Sequence, residues 1–384
     1  MNLNSLLPLF YYAIASALTI FGLKQRRQIR LLLLIPIWLL SLLALASSYR
    51  LSWMIGADST FASLLVFYLL YSAKILVFDT HDVNPEARQI KHHDWSPTFL
   101  DCYRTWNNPR HLPIRLSNLR LEREATSSDS GPINLARFAF MKLAKAAVLW
   151  GFERFVFQKV FIRALGQVVI SDFSPPMEMP AFTQLSSHQL QVRAIMSVQW
   201  MWRAYFFLEF YHSLLSIVFV ALLRFDSPEE WPCLFGSPVQ AYSVRKFWGR
   251  FWHQLTIPTY IFYARLVSKH ALGVQPGSSV EKTVIAFLVF AISGLSHSLV
   301  GLALGDAALF RDILFFEICF LAAAGETLLL KYYSEVSGGL NGARLLRQVV
   351  RRVTGMLWVF VFFFCVSPLW IYPKIYHALL NPVY

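Results

Sequence analysis

Apolar runs long enough to approach a bilayer's thickness alternate along this chain with polar connections. A transmembrane helix needs about 20 predominantly apolar residues. Leu6 to Leu23 is a first such run, closed by the basic loop Lys24-Gln25-Arg26-Arg27 and Arg30. Leu31 to Ala46 is a second, slightly short and bearing Pro36. Phe61 to Phe78 is a third, with Lys74 near its end, where a long side chain can snorkel toward the interface. His81 to Leu143 is polar and reads as a long loop with short surface helices. Ala144 to Ile170 is apolar but carries Glu153, Arg154, Lys159 and Arg163. Arg203 to Leu223 is a clear span, introduced by Trp200 and Trp202 as interfacial anchors. Ile257 to Val267 is apolar but only about half the ~20 residues needed to cross. Thr283 to Leu304, Ile313 to Leu330 and Val353 to Tyr372 complete the set. A second basic loop, with Lys331, Arg344, Arg347, Arg351 and Arg352, separates the last two.

Parity resolves the ambiguous segment. Both basic loops belong on the cytosolic side, so an even number of crossings must separate them. The clear crossings between them are odd in number. Ala144–Ile170 is long enough to supply the missing one and Ile257–Val267 is not. The expectation is therefore an all-α polytopic membrane protein with about eight transmembrane helices and additional interfacial or re-entrant helices. Residues 1–384 are expected to form one integral membrane domain, with a polar cytosolic loop over 79–143 and a motif-bearing region over 229–304. A re-entrant Ile257 segment is tolerable only where it is buried in protein.

Composition agrees. The 384 residues are 56% hydrophobic and 16% aromatic, above the roughly 45–50% apolar content of soluble domains. The formal net charge of +13 would point to nucleic acid in a soluble protein. Here the basic residues flank apolar spans, so the lipid bilayer is the expected partner and nucleic acid is not. The four cysteines, Cys102, Cys233, Cys319 and Cys365, make no C-x-x-C pair. Neither a disulfide framework nor a zinc site is expected, and no metal or bound cofactor is assigned. The first apolar run lacks a charged n-region and a small-residue cleavage site, so it reads as a span.

The chemistry concentrates between Glu229 and Gln254. From Arg245 onward, at about 100° per residue, Phe247, Trp248, Phe251, Trp252 and Leu255 fall on one side of a helix. Arg245, Lys246, Gly249, Arg250, His253 and Gln254 fall on the other. That is the pattern of a short amphipathic helix at a membrane interface. Gly249 lies one turn before His253 and leaves room beside the imidazole. Arg245 and Arg250 offer charge-assisted bonds to phosphates, either of a substrate or of lipid headgroups.

Later in the chain Ser293-Gly294-Leu295-Ser296-His297 places a histidine well inside an apolar span. An ionisable residue there is costly and suggests function. Ser293, Gly294 and Gly301 lie three or four residues away and make a face of small residues, read either as a substrate groove or as a helix-packing surface. Rival motifs fail on geometry. Gly294-Leu295-Ser296-His297-Ser298 lacks the final glycine and the strand–turn–helix setting of a nucleophile elbow. Adjacent helical residues also point about 100° apart, so Ser296 and His297 cannot act as nucleophile and base. Gln89-Ile90-Lys91-His92-His93 resembles a single histidine box, and a di-iron site needs several. His81, Asp82, His92, His93 and Asp94 fit no standard metal spacing.

The order Trp231-Pro232-x-Leu234-Phe235-Gly236, then a serine, then Phe247-Trp248-Gly249-x-Phe251-Trp252-His253-Gln254 resembles the membrane-bound O-acyltransferase superfamily, in particular its wax-synthase-like branch. The later Ser293-Gly294-Leu295-Ser296-His297 matches that family's intramembrane histidine motif. The related Arg-Gly-rich element is replaced here by Pro109-Arg110-His111-Leu112-Pro113, so no role carries over to Arg110. Many fungal members of the branch acetylate terpenoid or meroterpenoid alcohols. The resemblance implies a multi-pass membrane O-acyltransferase, with the endoplasmic reticulum as the expected compartment. Its partners would be acetyl-CoA or another acyl-CoA as co-substrate and a lipophilic alcohol as acceptor. His297 and His253 would be catalytic, with Trp252, Gln254, Arg245, Arg250, Gly294 and Ser293 binding substrates. The alternatives are a long-chain wax ester synthase and, in another class, a transporter using His297 and Arg154 as midplane polar sites. A transporter is expected to show repeats and paired broken helices, and the sequence has no evident repeat.

Overall fold

The computed structural model describes residues 3–53, 56–79, 98–112, 132–166, 168–306, 308–336 and 344–380. The candidate loop metal residues His81, Asp82, His92, His93 and Asp94 lie outside them. Among the described residues every regular element is helical. The longer helices are α1 Leu7–Leu23, α2 Arg27–Ala46, α3 Ala57–Ala73, α4 Phe99–Trp106, α5 Pro132–Gly151, α6 Gln158–Leu165, α7 Ser187–Ser216, α8 Ile257–His270, α9 Ser279–Ala303, α10 Phe310–Val336 and α11 Arg344–Leu380. Seven helices among the described residues are long and apolar enough to cross a membrane, and they correspond to the seven unambiguous runs in the sequence.

The eighth expected span is corrected by its charges. Ala144–Ile170 is helical through α5, a wider turn over Phe152–Phe157 and α6, but it is not among the helices apolar enough to cross. Glu153 is committed to polar partners, accepting from the Trp202 indole and from Gln158 at 3.2 Å. The short apolar segment expected at Ile257 is α8, of 14 residues. At about 1.5 Å per residue it reaches some 21 Å, short of the ~30 Å hydrocarbon core.

The described chain separates into two compact units. The first comprises residues 1–147, 210–232 and 255–259. Within it α1, α2 and α3 pack together, and Thr19, Ser41 and Tyr68 find hydrogen-bond partners inside the unit, as lipid favours. Thr19 donates to the Ala15 carbonyl at 2.8 Å and shares a hydrogen bond with Tyr68. Lys74 does not snorkel as expected. It is 2% exposed, paired with Asp79, and 3.0 Å from His111 Nε2. Burial and the neighbouring Lys74 ammonium push the His111 imidazole pKa down, Asp79 opposing.

In the same unit, α4 begins with a reciprocal cap between Thr98 and Asp101. Its Tyr103 donates to Asp226 at 2.9 Å, as does the Trp231 indole at 2.9 Å. Asn107 donates to the same oxygen at 3.0 Å. Desolvation raises the Asp226 carboxyl pKa, and the hydrogen bonds from Trp231 and Tyr103 oppose it. Arg110 donates to the Pro232 carbonyl at 3.1 Å and Lys142 to that of Trp231 at 2.9 Å.

The second unit comprises residues 148–209, 233–254 and 260–384. Its α9 and α10 form an antiparallel pair brought close by Gly294. A Cβ on Gly294 would lie 2.7 Å from Ile313 Cα. Ser298 bridges the pair by donating to the Leu309 carbonyl at 2.7 Å. The small-residue face is therefore filled at this level by helix packing, and the open-groove reading of Gly294 is corrected. Replacing Gly294 by Ala should wedge the pair apart and cost about 1–3 kcal/mol, seen as a lower thermal midpoint in detergent. Gly249→Ala, where an added Cβ meets nothing within 4 Å, should leave that midpoint in place.

Candidate active site

The motif segment of the second unit is held by carboxylates on two membrane helices. Glu209 of α7 is 1% exposed and accepts from the backbone amides of Leu234 at 2.8 Å and Phe235 at 3.1 Å. Glu326 of α10 accepts from the amides of Val244 at 2.7 Å and Arg245 at 3.0 Å, and from the Trp358 indole at 2.7 Å. Those two amides open a short helix, Val244–Lys246, that widens into the turn Phe247–Phe251. Amides at a helix start have no intrahelical partner, and an acidic oxygen supplies one. Ser243 adds a side-chain cap to the Lys246 amide at 3.2 Å. Between the clamps the Gly236 amide donates to the Phe251 carbonyl at 2.8 Å. A Cβ on Gly236 would lie 2.0 Å from the Arg250 carbonyl oxygen, which accounts for glycine in the Leu234-Phe235-Gly236 motif.

The expected amphipathic helix is therefore real but shorter. The Trp252 amide bonds to the Phe247 carbonyl at 2.7 Å, a wide turn, and Trp252 then becomes extended at φ −63°, ψ 150°. His253 consequently does not follow Gly249 on a helical face. The burial pattern nevertheless matches: Phe247 and Trp252 are buried, whereas Arg245 and Arg250 are exposed. His253 is half-buried, with its ring 5.5 Å from Phe235 and 5.7 Å from Trp252. Gln254 donates to the carbonyls of Trp252 at 2.8 Å and Trp248 at 3.2 Å, so its amide braces the turn. Lys246 sits 3.6 Å from the Tyr242 ring centroid, and Arg351 lies 5.9 Å from the same ring. Hydrogen bonding to Lys246 draws the Tyr242 phenol pKa down.

His297 occupies α9 beside an aromatic box. Its ring stacks on Phe316 at 5.1 Å and 19°, and meets Trp370 edge-on at 6.2 Å and 84°. The imidazole nonetheless remains exposed, so these rings crowd it without sealing it. Trp370 donates to Asp312 at 2.6 Å. Lys374 bridges Asp312 at 2.8 Å and Asp306 at 2.9 Å. Asp312 is 0% exposed and is neutralised by this pairing, as a buried charge must be. Phe316 also meets Trp248 at 5.6 Å. Trp248 meets Trp252 at 5.4 Å. A run of aromatic contacts thus leads from His297 through Phe316, Trp248 and Trp252 to His253.

Trp200 of α7 is central to this lattice. Its ring contacts Trp252 at 5.1 Å, Phe363 at 5.3 Å and Trp370 at 5.5 Å. Its indole donates to Ser367 at 3.1 Å. Trp200 thus packs within the unit, which replaces its expected role as an interfacial anchor. Ser293 donates to the Val289 carbonyl at 2.8 Å within its own helix. Ser296 is likewise engaged, donating to Ile292 and accepting from Tyr260 at 2.9 Å.

Sequence reasoning missed Glu209, Glu326, Asp312 and the rings Phe316 and Trp370. The same rule that singled out His297 applied to the acidic residues, since each stands within or beside an apolar run. Among the described residues, no group of three His, Cys, Asp or Glu is placed to hold a metal ion.

The profile of the membrane bound O-acyl transferase family matches residues 231–318, which contain both histidines and the whole motif segment. The chain is also similar to curated fungal proteins. It is 26% identical to Acetyltransferase nanB of Aspergillus nanangensis over 326 residues, covering 82% of this chain and 76% of that one. It is 26% identical to Acetyltransferase atnC of Arthrinium sp over 253 residues, 64% of this chain and 56% of the relative. With Acetyltransferase eriL of Hericium erinaceus the identity is 30% over 183 residues, 44% of this chain and 42% of the relative. Thus the chain spans three quarters of one relative and about half or less of the other two.

The clamps make a direct prediction. Glu326→Ala leaves the Val244 amide without its partner, at a cost of about 1–3 kcal/mol. Protease cleavage around Tyr242 in detergent-solubilised protein should accelerate accordingly. Glu326→Gln, which keeps one acceptor oxygen, should fall between the Ala variant and the original.

Proposed function

We propose that this chain, whose residues 231–318 match the profile of the membrane bound O-acyl transferase family, transfers an acetyl group from acetyl-CoA to the hydroxyl of a lipophilic, terpenoid-type alcohol, in the membrane of the endoplasmic reticulum. The observation that carries this reading is an exposed imidazole, His297, set in a spanning helix and linked through Phe316 and Trp248 to the motif segment. The names of the fungal relatives support the acetyl group. The apolar surroundings suit a lipophilic acceptor.

The residues divide the work as follows. Neutral His297 removes the acceptor's hydroxyl proton as general base. The freed oxygen attacks the thioester carbonyl carbon directly, and the tetrahedral adduct collapses with cleavage of the C–S bond. The proton on His297 passes to the departing coenzyme A thiolate. No acyl-enzyme is involved: Ser293, Ser296 and Ser298 all donate to backbone carbonyls, and none is paired with a base as an activated nucleophile requires. His253 lies against Trp252 and orients the donor thioester. Exclusion of water by the aromatic lattice protects the thioester from hydrolysis. Arg245 and Arg250, exposed on the motif helix, receive the phosphates of coenzyme A. In this reading Gly294 and Ser293 act at the acceptor site through the spacing of α9 and α10, not as direct contacts.

The test is turnover by purified protein with labelled acetyl-CoA and palmitoyl-CoA against a panel of terpenoid and fatty alcohols. Preference for palmitoyl-CoA would replace the proposal with wax ester synthesis, and no transfer to any alcohol would defeat it. His297→Gln should lower turnover about 10²–10⁴-fold, the usual contribution of a general base. Glutamine keeps hydrogen-bonding capacity but does not take up and release a proton near neutral pH. Near-normal turnover in that variant would refute the base assignment.

A further outcome concerns the donor site. Arg245→Ala or Arg250→Ala should raise KM for acetyl-CoA about ten- to a hundred-fold through loss of a charge-assisted bond worth roughly 1.5–3 kcal/mol. KM for the alcohol should move less.

A further inference from the structure

Two buried polar atoms in the second unit have no protein partner, and they lie in one layer. One is the Trp248 indole nitrogen Nε1, a donor; the other is Glu317 Oε1, an acceptor. The Cys319 thiol lies near the indole but does not meet hydrogen-bonding geometry with it. Buried polar groups in folded proteins are nearly always paired, and an exception calls for an explanation. The helical phase of α10 fixes where Glu317 points. Ile313, four residues before it, packs its backbone on Gly294 of α9. Phe320, three residues after it, meets Phe287 at 5.6 Å and Phe290 at 6.2 Å, both on α9. Residues at such spacings share a helix face, so Glu317 is directed at α9 between the Phe290 and Gly294 levels. Trp248 reaches the same layer, with its ring 6.0 Å from Phe290 and 5.6 Å from Phe316. Phe316, the neighbour of Glu317, carries the His297 ring on its surface.

An orphan donor and an orphan acceptor thus lie on the two elements packed around Phe316, whose ring carries His297. A packing role explains neither, since a phenyl ring and an aliphatic side chain would fill the same space without the cost of burying polar atoms. Resting on the acyl-transfer reading above, we propose that the two atoms are completed by the substrates. Trp248 Nε1–H donates to the thioester carbonyl oxygen and stabilises the oxyanion that forms there. The Glu317 carboxyl accepts a hydrogen bond from a hydroxyl of the acceptor and fixes its orientation toward His297. The acceptor class this selects is a lipophilic alcohol with a second hydroxyl, one group bound by Glu317 and the other presented to His297. Glu317 takes no part in the proton transfer. The acceptor's reacting O–H bond breaks toward His297, the new C–O bond forms as the carbonyl electrons move onto the oxygen facing Trp248, and the C–S electrons leave with coenzyme A.

The experiment combines kinetics with thermal stability for Trp248→Phe, Glu317→Gln and Glu317→Leu, using acetyl-CoA with matched mono- and dihydroxy alcohols. Trp248→Phe keeps the ring and should lower kcat about 10²–10³-fold, as loss of an oxyanion donor does. Glu317→Gln and Glu317→Leu should raise KM for the dihydroxy acceptor, the latter about ten- to a hundred-fold, with KM for acetyl-CoA unchanged. The monohydroxy acceptor should be little affected. Because the Glu317 oxygen is unpaired at rest, the thermal midpoint of Glu317→Leu without substrate should equal or exceed that of the original. A lower midpoint in that variant would mean that the atom has a protein partner, and would overturn the assignment. So would unchanged kcat in Trp248→Phe, or equal response of both acceptors to Glu317→Leu. Turnover by the unaltered protein with unaffected variants defeats this assignment alone. Absence of turnover by the unaltered protein defeats the acyl-transfer reading and this assignment with it.

Discussion

The second unit depends on two carboxylates, carried on spanning helices, that bond to backbone amides of the motif segment. Glu209 holds Leu234 and Phe235, and Glu326 holds Val244 and Arg245. A carboxylate in apolar surroundings is expensive until hydrogen-bond donors surround it. The unpaired amides of a turn and of a helix start are costly in the same way. Each group satisfies the other, so the motif segment has one low-energy seat on α7 and α10. The constraint reaches Trp248 and Trp252, because both follow the clamped amides by only a few residues in a turn closed by Gly236.

With the segment seated, its aromatic side chains complete a lattice that α7, α10 and α11 begin. Trp200, Phe315, Phe363 and Trp370 come from the spanning helices, and Phe247, Trp248 and Trp252 come from the motif. Aromatic rings bring large apolar area with few rotatable bonds, so such a lattice is rigid as well as dry. Rigidity matters for the acyl transfer proposed above, in which a misplacement of about 1 Å can cost about 10²-fold in rate. The polar exceptions are grouped: Asp312, Asp306 and Lys374 are mutually paired behind Trp370. His297 lies between that paired cluster and the motif rings, exposed on a spanning helix.

Much of this was legible in the sequence. Apolar periodicity and length located all seven qualifying helices to within a few residues at most ends, because hydrocarbon imposes a length and a composition that loops do not share. α7 is the main exception, beginning at Ser187, well before the expected Arg203. Ala144–Ile170 was misjudged because an apolar helix with spaced charges satisfies an apolar count while failing as a span. The motif residues and His297 stood out by residue type. Their setting did not. Whether Trp252 continues a helix depends on the Phe251 carbonyl being taken by Gly236, a contact fifteen residues away in sequence. Gly294 read equally well as a groove or a packing face until the position of Ile313 was known. Glu209, Glu317 and Glu326 were visible as charges in apolar runs. Which of them is paired, and with what, is a property of the packed chain.

The account's central claim is direct transfer from donor to acceptor across His297, with no acyl group held by the protein. It is tested most directly by mixing purified protein with acetyl-CoA labelled in the acetyl group, first without alcohol and then with it, and following the label by quenched flow. The account predicts no label bound covalently to protein in the first mixture. In the second, label should appear in the alcohol ester at the rate at which it leaves acetyl-CoA. Label held covalently by the protein before alcohol is added, and chased into ester afterwards, would contradict it.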